Sequence, residues 1–229
     1  MNPEHIAFVI ASLTIIYLIY YFLPVDWLLK KFIDDEVKIQ ALGVLIKHLN
    51  GFLFFGLIPF LIVVFCFAEP LSSYGLNLIH VKESIFWIVI LSAIFVPLNY
   101  FFSKTPGNLD VYPQIRKGIW SRNLFFLSSF SWVLYLTGYE FLFRGFLFFS
   151  CLRFAGIVFA TTICVSFYAL VHIPKGWKEA IGTIPYGIVI CLISAKTGSI
   201  LTALFSHSVL ALSNEWFSFY RQPGMKLVK

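Results

Sequence analysis

Charge is what this chain has least of. Of its 229 residues only 12% are charged, against 59% hydrophobic and 19% aromatic, which leaves too little polar surface to coat a soluble globule of this length. Only four cysteines are present, Cys66, Cys151, Cys164 and Cys191. All lie in or beside apolar runs and none has the close spacing of a metal knuckle or a redox pair, so they read as small hydrophobes. Low-complexity tracts and fixed-period repeats are missing. The first apolar run lacks a basic front and a small-residue cleavage site, so it reads as a retained helix and not a cleavable signal.

What is there is a series of long apolar runs, near 5–24, 50–68, 85–103, 124–152, 155–173, 180–195 and 198–220. Most approach the roughly twenty residues that a helix needs to cross a bilayer. The expected fold is therefore all-α, a polytopic membrane protein of about seven transmembrane helices. The sixth run is short and contains Gly182, Pro185 and Gly187, so it is expected to be broken or irregular. Polar loops are long before residue 123 and short after it. This divides the single membrane domain into peripheral helices over 1–123, a four-helix core over 124–220 and a tail over 221–229.

Lys and Arg set the orientation. The segments 25–49, 104–123, 174–179 and the tail carry Lys30, Lys31, Lys38, Lys47, Lys104, Arg116, Lys117, Arg122, Lys175, Lys178, Arg221, Lys226 and Lys229, whereas the alternate loops hold only Lys82, Arg153 and Lys196. That bias places the N-terminus outside and the C-terminus in the cytoplasm. Basic loops facing anionic lipid also account for the formal charge of +6 without nucleic acid.

Three polar positions lie within the greasy core runs: Glu140 with Arg144 in GYEFLFRGF, His172 in YALVHIP, and His207 in ALFSHSVLAL. An ionisable group inside a bilayer costs several kcal/mol by most estimates unless it meets a partner or water, so each is a functional candidate. Glu140 and Arg144 are four apart, about 40° apart around a helix, and can pair as a neutral unit. Two chemistries remain open. A carboxylate can act as general base on water while one imidazole orients the proton and another serves the oxyanion. Alternatively, Glu140, His172 and His207 can hold a divalent metal such as zinc, with an open fourth position for water.

The order and spacing of these motifs resemble the CAAX-protease and bacteriocin-processing (CPBP, or Abi) family of intramembrane endopeptidases. In that family the first motif usually reads E-E-x-x-x-R, so Glu140 and Arg144 correspond to its second Glu and its Arg, while Tyr139 stands in the first Glu position. The F-x-x-x-H motif corresponds to Tyr168 and His172. The H-x-x-x-N motif corresponds to His207, with Ala211 at the Asn position. The resemblance implies an intramembrane peptidase of a prokaryotic cytoplasmic membrane. Its substrate is a peptide or membrane-protein tail approached from the cytoplasmic side, with Glu140 as base or ligand and His172 and His207 as co-catalysts or ligands. Because the family's first Glu activates water and its Asn helps hold the oxyanion, Tyr139 and Ala211 imply either a variant site or a chain without turnover. Asn214, seven residues after His207 and within about 20° of its helix face, is one substitute; Glu215, about 80° round, and Glu179, at the cavity mouth, are others. A noncatalytic descendant that binds a membrane peptide or partner in immunity or assembly is the alternative class. A small transporter ranks after it, for want of an inverted repeat.

Overall fold

A computed structural model describes residues 2–228, and it is almost entirely helical. Six long helices make up the fold: α1 (Pro3–Phe22), α2 (Glu36–Phe67), α3 (Val81–Phe102), α4 (Arg122–Leu170), α5 (Trp177–Thr197) and α6 (Leu201–Arg221). The first five are long and apolar enough to cross a membrane, so the protein is a multi-pass membrane protein. α4 runs for 49 residues and is bent at Ala155 and Gly156, whose backbone leaves helical geometry; Gly156 has φ +80°, a conformation suited to glycine. Its two arms, together with the other helices, give the seven rods expected from the apolar runs.

Two boundaries differ from the sequence expectation. α2 begins at Glu36, not near 50, because the Asp35 side chain accepts from the backbone N–H groups of Val37 (3.0 Å) and Lys38 (3.1 Å) and starts a helix whose first turns are amphipathic. α5 is continuous from 177 to 197 and carries Pro185 in its interior, so the expected break is absent. The tail also has structure: β2 (Lys226–Val228) pairs in parallel with β1 (Ile119–Ser121) just ahead of α4. Beside this pair, buried Trp120 packs on Phe125 and Phe219.

α4 is the axis of the fold. The Ser121 Oγ accepts from the Leu124 N–H at 3.2 Å and caps its start. Its first arm crosses α2 with no side chain between the backbones: a Cβ built on Gly138 would stand 2.9 Å from the Gly51 carbonyl oxygen, the Gly56 nitrogen and the Phe52 Cα. In lipid, where apolar side chains gain nothing by leaving one another's company, close approach of this kind supplies the dispersion energy that holds helices together. Past this crossing α4 widens into a π-helical stretch, Phe141–Phe148, every residue of which is buried. The crossing thus fixes the height of Glu140, two residues on. At the opposite end, the turn between α5 and α6 is pinned by the Asn77 amide, which donates to the Gly198 carbonyl at 2.5 Å, and by the Ser199 hydroxyl, which bonds the Gly75 and Asn77 carbonyls.

Replacing Gly138 by Val forces α2 and α4 apart. It is expected to destabilise the protein by about 1–3 kcal/mol, an overpacking cost, measured as a lowered unfolding midpoint in detergent.

Candidate active site

The buried charge cluster is built from two helices. Glu140 on α4 places Oε2 3.1 Å from Arg144 Nη1 and Oε1 2.5 Å from Nδ1 of His207 on α6. Glu140 and Arg144 are fully buried. The guanidinium carbon lies over the Tyr168 ring, 4.0 Å from its centroid, in the second arm of α4. Arg144 therefore meets a carboxylate at one edge and a π-face on another side, the two partners that best offset desolvation of a cation.

These bonds orient two imidazoles. An ionised carboxylate only accepts, so Nδ1 of His207 carries the proton and donates to Glu140, leaving Nε2 with its lone pair. His172, just past the end of α4, donates from Nδ1 to the Tyr168 carbonyl at 2.7 Å, the partner one helical turn back. A carbonyl also only accepts, so His172 presents the same tautomer. Both rings line one cavity of about 620 Å³. Tyr139 stands edge-on between them, its centroid 6.2 Å from His172 and 5.9 Å from His207.

Each residue singled out in the sequence can now be placed. Glu140 is fully buried and is not among the residues that line the cavity: Oε1 accepts from His207 and Oε2 stands 3.1 Å from the Arg144 guanidinium. Tyr139, Tyr168, Ala211 and Asn214 do line the cavity. The Asn214 amide donates to Asn108 Oδ1 at 3.0 Å, which ties α6 to the segment between α3 and α4. Glu179 lines the mouth, 4.0 Å from Lys175. Glu215 is directed elsewhere. It is buried and accepts the Gln114 backbone N–H at 3.0 Å, in a polar knot where Gln114 also meets His48 Nε2 at 3.0 Å. The 80° offset from His207 is enough to turn it away from the chamber.

The zinc alternative does not fit this arrangement. No group of three or more His, Cys, Asp or Glu among the described residues is placed to hold a metal ion, because Arg144 and His207 take up the carboxylate that the set requires. No cysteine is bridged, in keeping with their reading as small hydrophobes.

One feature of the cavity went unread in the sequence. Eight of the eleven tyrosines line it: Tyr17, Tyr20 and Tyr21 from α1, Tyr112 from the α3–α4 segment, Tyr135, Tyr139 and Tyr168 from α4, and Tyr186 from α5. The signal was available in their spacing, since 17, 20 and 21, like 135 and 139, stand three or four apart within apolar runs and share a helix face.

Helical rods thus surround a tyrosine-walled chamber, with a buried Glu–Arg pair holding a histidine on its wall. Residues 111–213 match the family model described as Type II CAAX prenyl endopeptidase Rce1-like. The match spans Glu140, Arg144, His172 and His207, so the resemblance carried by the motifs is borne out over this part of the chain. No curated protein and no solved structure matches the chain.

Substituting Glu140→Gln leaves the Arg144 cation buried without its counter-charge. We expect a loss of about 3–5 kcal/mol in stability, with much of it restored in the double variant Glu140→Gln/Arg144→Met, read by thermal unfolding of purified protein.

Proposed function

We propose that the protein is an intramembrane endopeptidase that cleaves a peptide or a membrane-protein tail by activating a water at His207. Nε2 of His207 takes a proton from the water as its oxygen bonds the scissile carbonyl carbon, and the carbonyl electrons move onto oxygen. Collapse of that oxyanion breaks the C–N bond, and His207 returns its proton to the leaving amine. Glu140 holds the ring in the required tautomer and stabilises the imidazolium formed in between, while Arg144 keeps Glu140 ionised. Nε2 of His172, an acceptor on the same chamber, accepts a hydrogen bond from the water's other O–H, which stays intact, and so aims the oxygen's lone pair at the carbonyl.

The observation that carries this reading is the 2.5 Å His207–Glu140 bond, which turns the remaining nitrogen of His207 toward the cavity shared with His172. A general base must be held at hydrogen-bond range of its proton by a third group, and here that group is a buried carboxylate. The core is residues 124–220, although α1 and α3 also contribute walls to the chamber, so the helices over 1–123 belong to the site as well. The site opens toward the cytoplasm in the inner membrane of a prokaryote, with the N-terminus outside. Support comes from Lys47 and Lys175, which line the chamber and belong to the lysine-rich set of segments. A noncatalytic, peptide-binding descendant is favoured by Tyr139 and Ala211, both on the chamber wall, which offer no carboxylate to a water and no amide to an oxyanion.

In proteoliposomes supplied with a membrane-anchored peptide pool, His207→Ala is expected to lower kcat by about 10²–10⁴-fold and His172→Ala to lower it as well, with the fold intact. Unchanged product formation in both variants would remove His207 and His172 as the source of cleavage, and no product from the unsubstituted protein would leave the binding reading. A metal chelator is expected to leave cleavage unchanged, as measured on the same peptide pool, because the site's carboxylate is already committed to Arg144 and His207.

A further inference from the structure

The chamber has one wall that the bundle does not grip. Along α5 no residue from 177 to 185 is buried, whereas from Tyr186 onward the helix packs through Tyr186, Gly187, Ile190, Cys191 and Ser194. Glycine contacts mark the same change: a Cβ on Gly182 would meet nothing within 4 Å, while one on Gly187 would press on Val165 at 3.2 Å. Pro185 sits at the transition, inside the helix, where it cannot donate to the Ile181 carbonyl and so leaves the helix weakest at that point. The other end of the segment is Gly176, at φ +109° and likewise free of neighbours.

This ungripped stretch has two unlike faces. Glu179, Gly182 and Thr183, spaced i, i+3 and i+4, share one face and line the chamber, while Tyr186, just past the stretch, is held at the Ser206 hydroxyl and packs on Phe95 and Tyr168. Trp177, Ile181 and Ile184 point outward and are 69%, 58% and 40% exposed, a surface suited to lipid, with the indole at the level where tryptophan anchors a helix end. His172 lies just ahead of the stretch, and its base is fixed where the Tyr17 hydroxyl donates to the Val171 carbonyl at 3.2 Å.

We propose that residues 176–185 form a lateral gate, a helical flap hinged at Gly176 and Pro185, which swings to open the chamber to the bilayer and admits an apolar, membrane-borne segment directly to His172 and His207. This inference rests on the chamber being the substrate site, but its test needs no turnover, so a failure of the peptidase reading and a failure of the gate are seen separately.

The full-length Ala211→Cys/Cys66→Ser protein in liposomes places one thiol on the chamber wall. Its labelling is followed with a lipid-tethered maleimide and with a charged, water-soluble methanethiosulfonate. Adding Pro185→Ala restores the missing backbone donor and stiffens the flap. The tethered reagent should then slow by about tenfold or more while the water-soluble one keeps its rate. Equal tethered rates with and without the proline, or a fall in both reagents together, overturn the gate. Spin labels on Ile184→Cys and Leu98→Cys give an independent reading. A broad distance distribution that narrows with Pro185→Ala supports the flap; a single narrow distribution in the presence of Pro185 overturns it.

Discussion

A carboxylate with no access to water depends entirely on its protein neighbours, and Glu140 has a hydrogen bond from His207 on one oxygen and the Arg144 charge 3.1 Å from the other. The remaining geometry of the site follows from this. Arg144 can stay charged at 0% exposure because it has Glu140 beside it and the Tyr168 ring against its face. Tyr168 in turn offers its carbonyl to His172, so one residue of the second arm both shields the cation and sets the second imidazole. Three helical segments are thereby locked to a single charge pair, and the Gly51–Gly56–Gly138 crossing sets its depth.

Much of this was legible in the chain because a polar residue in an apolar run is conspicuous. Glu140, Arg144 and His207 stood out on that ground, and helical angles correctly kept Asn214 on the chamber side. The placement of Glu140 was not legible, since sequence does not say which of several polar groups stands between the others and the solvent; its carboxylate is fully buried against His207 and Arg144 and is not part of the cavity lining. Glu215 illustrates the converse. Its distance from His207 along the chain suggested the same cavity, but the Gln114 N–H offered it a partner elsewhere.

The larger misses came from residues that hydropathy counts poorly. Lys38, Lys47 and His48 gave the front of α2 the look of a loop, although they lie on an amphipathic helix started by Asp35. Pro185 suggested a broken helix, yet α5 tolerates it because the turns ahead of it are unpacked and nothing forces the chain apart. Tyrosines passed as hydrophobic filler, when an apolar body with a hydroxyl tip is well suited to walling a wet space inside a bilayer. Their number around the chamber makes its surface rigid and amphipathic at once, able to lie against a hydrocarbon chain or a peptide amide.

The π-helical stretch Phe141–Phe148 carries a different kind of consequence. A wide turn of this type holds one residue more than an α-helix spanning the same rise, and it usually survives where something functional depends on it. Relatives that lack one residue between the Glu and the kink at Gly156 can thus be accommodated by tightening this stretch to ordinary α-geometry, which spares the far arm the rotation of about 100° that an uncompensated deletion would impose. Gaps in alignments of this core therefore belong inside a buried helix, a place where insertions and deletions are ordinarily forbidden, and an alignment that pushes them into the nearest loop would shift the register of Arg153 and every position up to the bend.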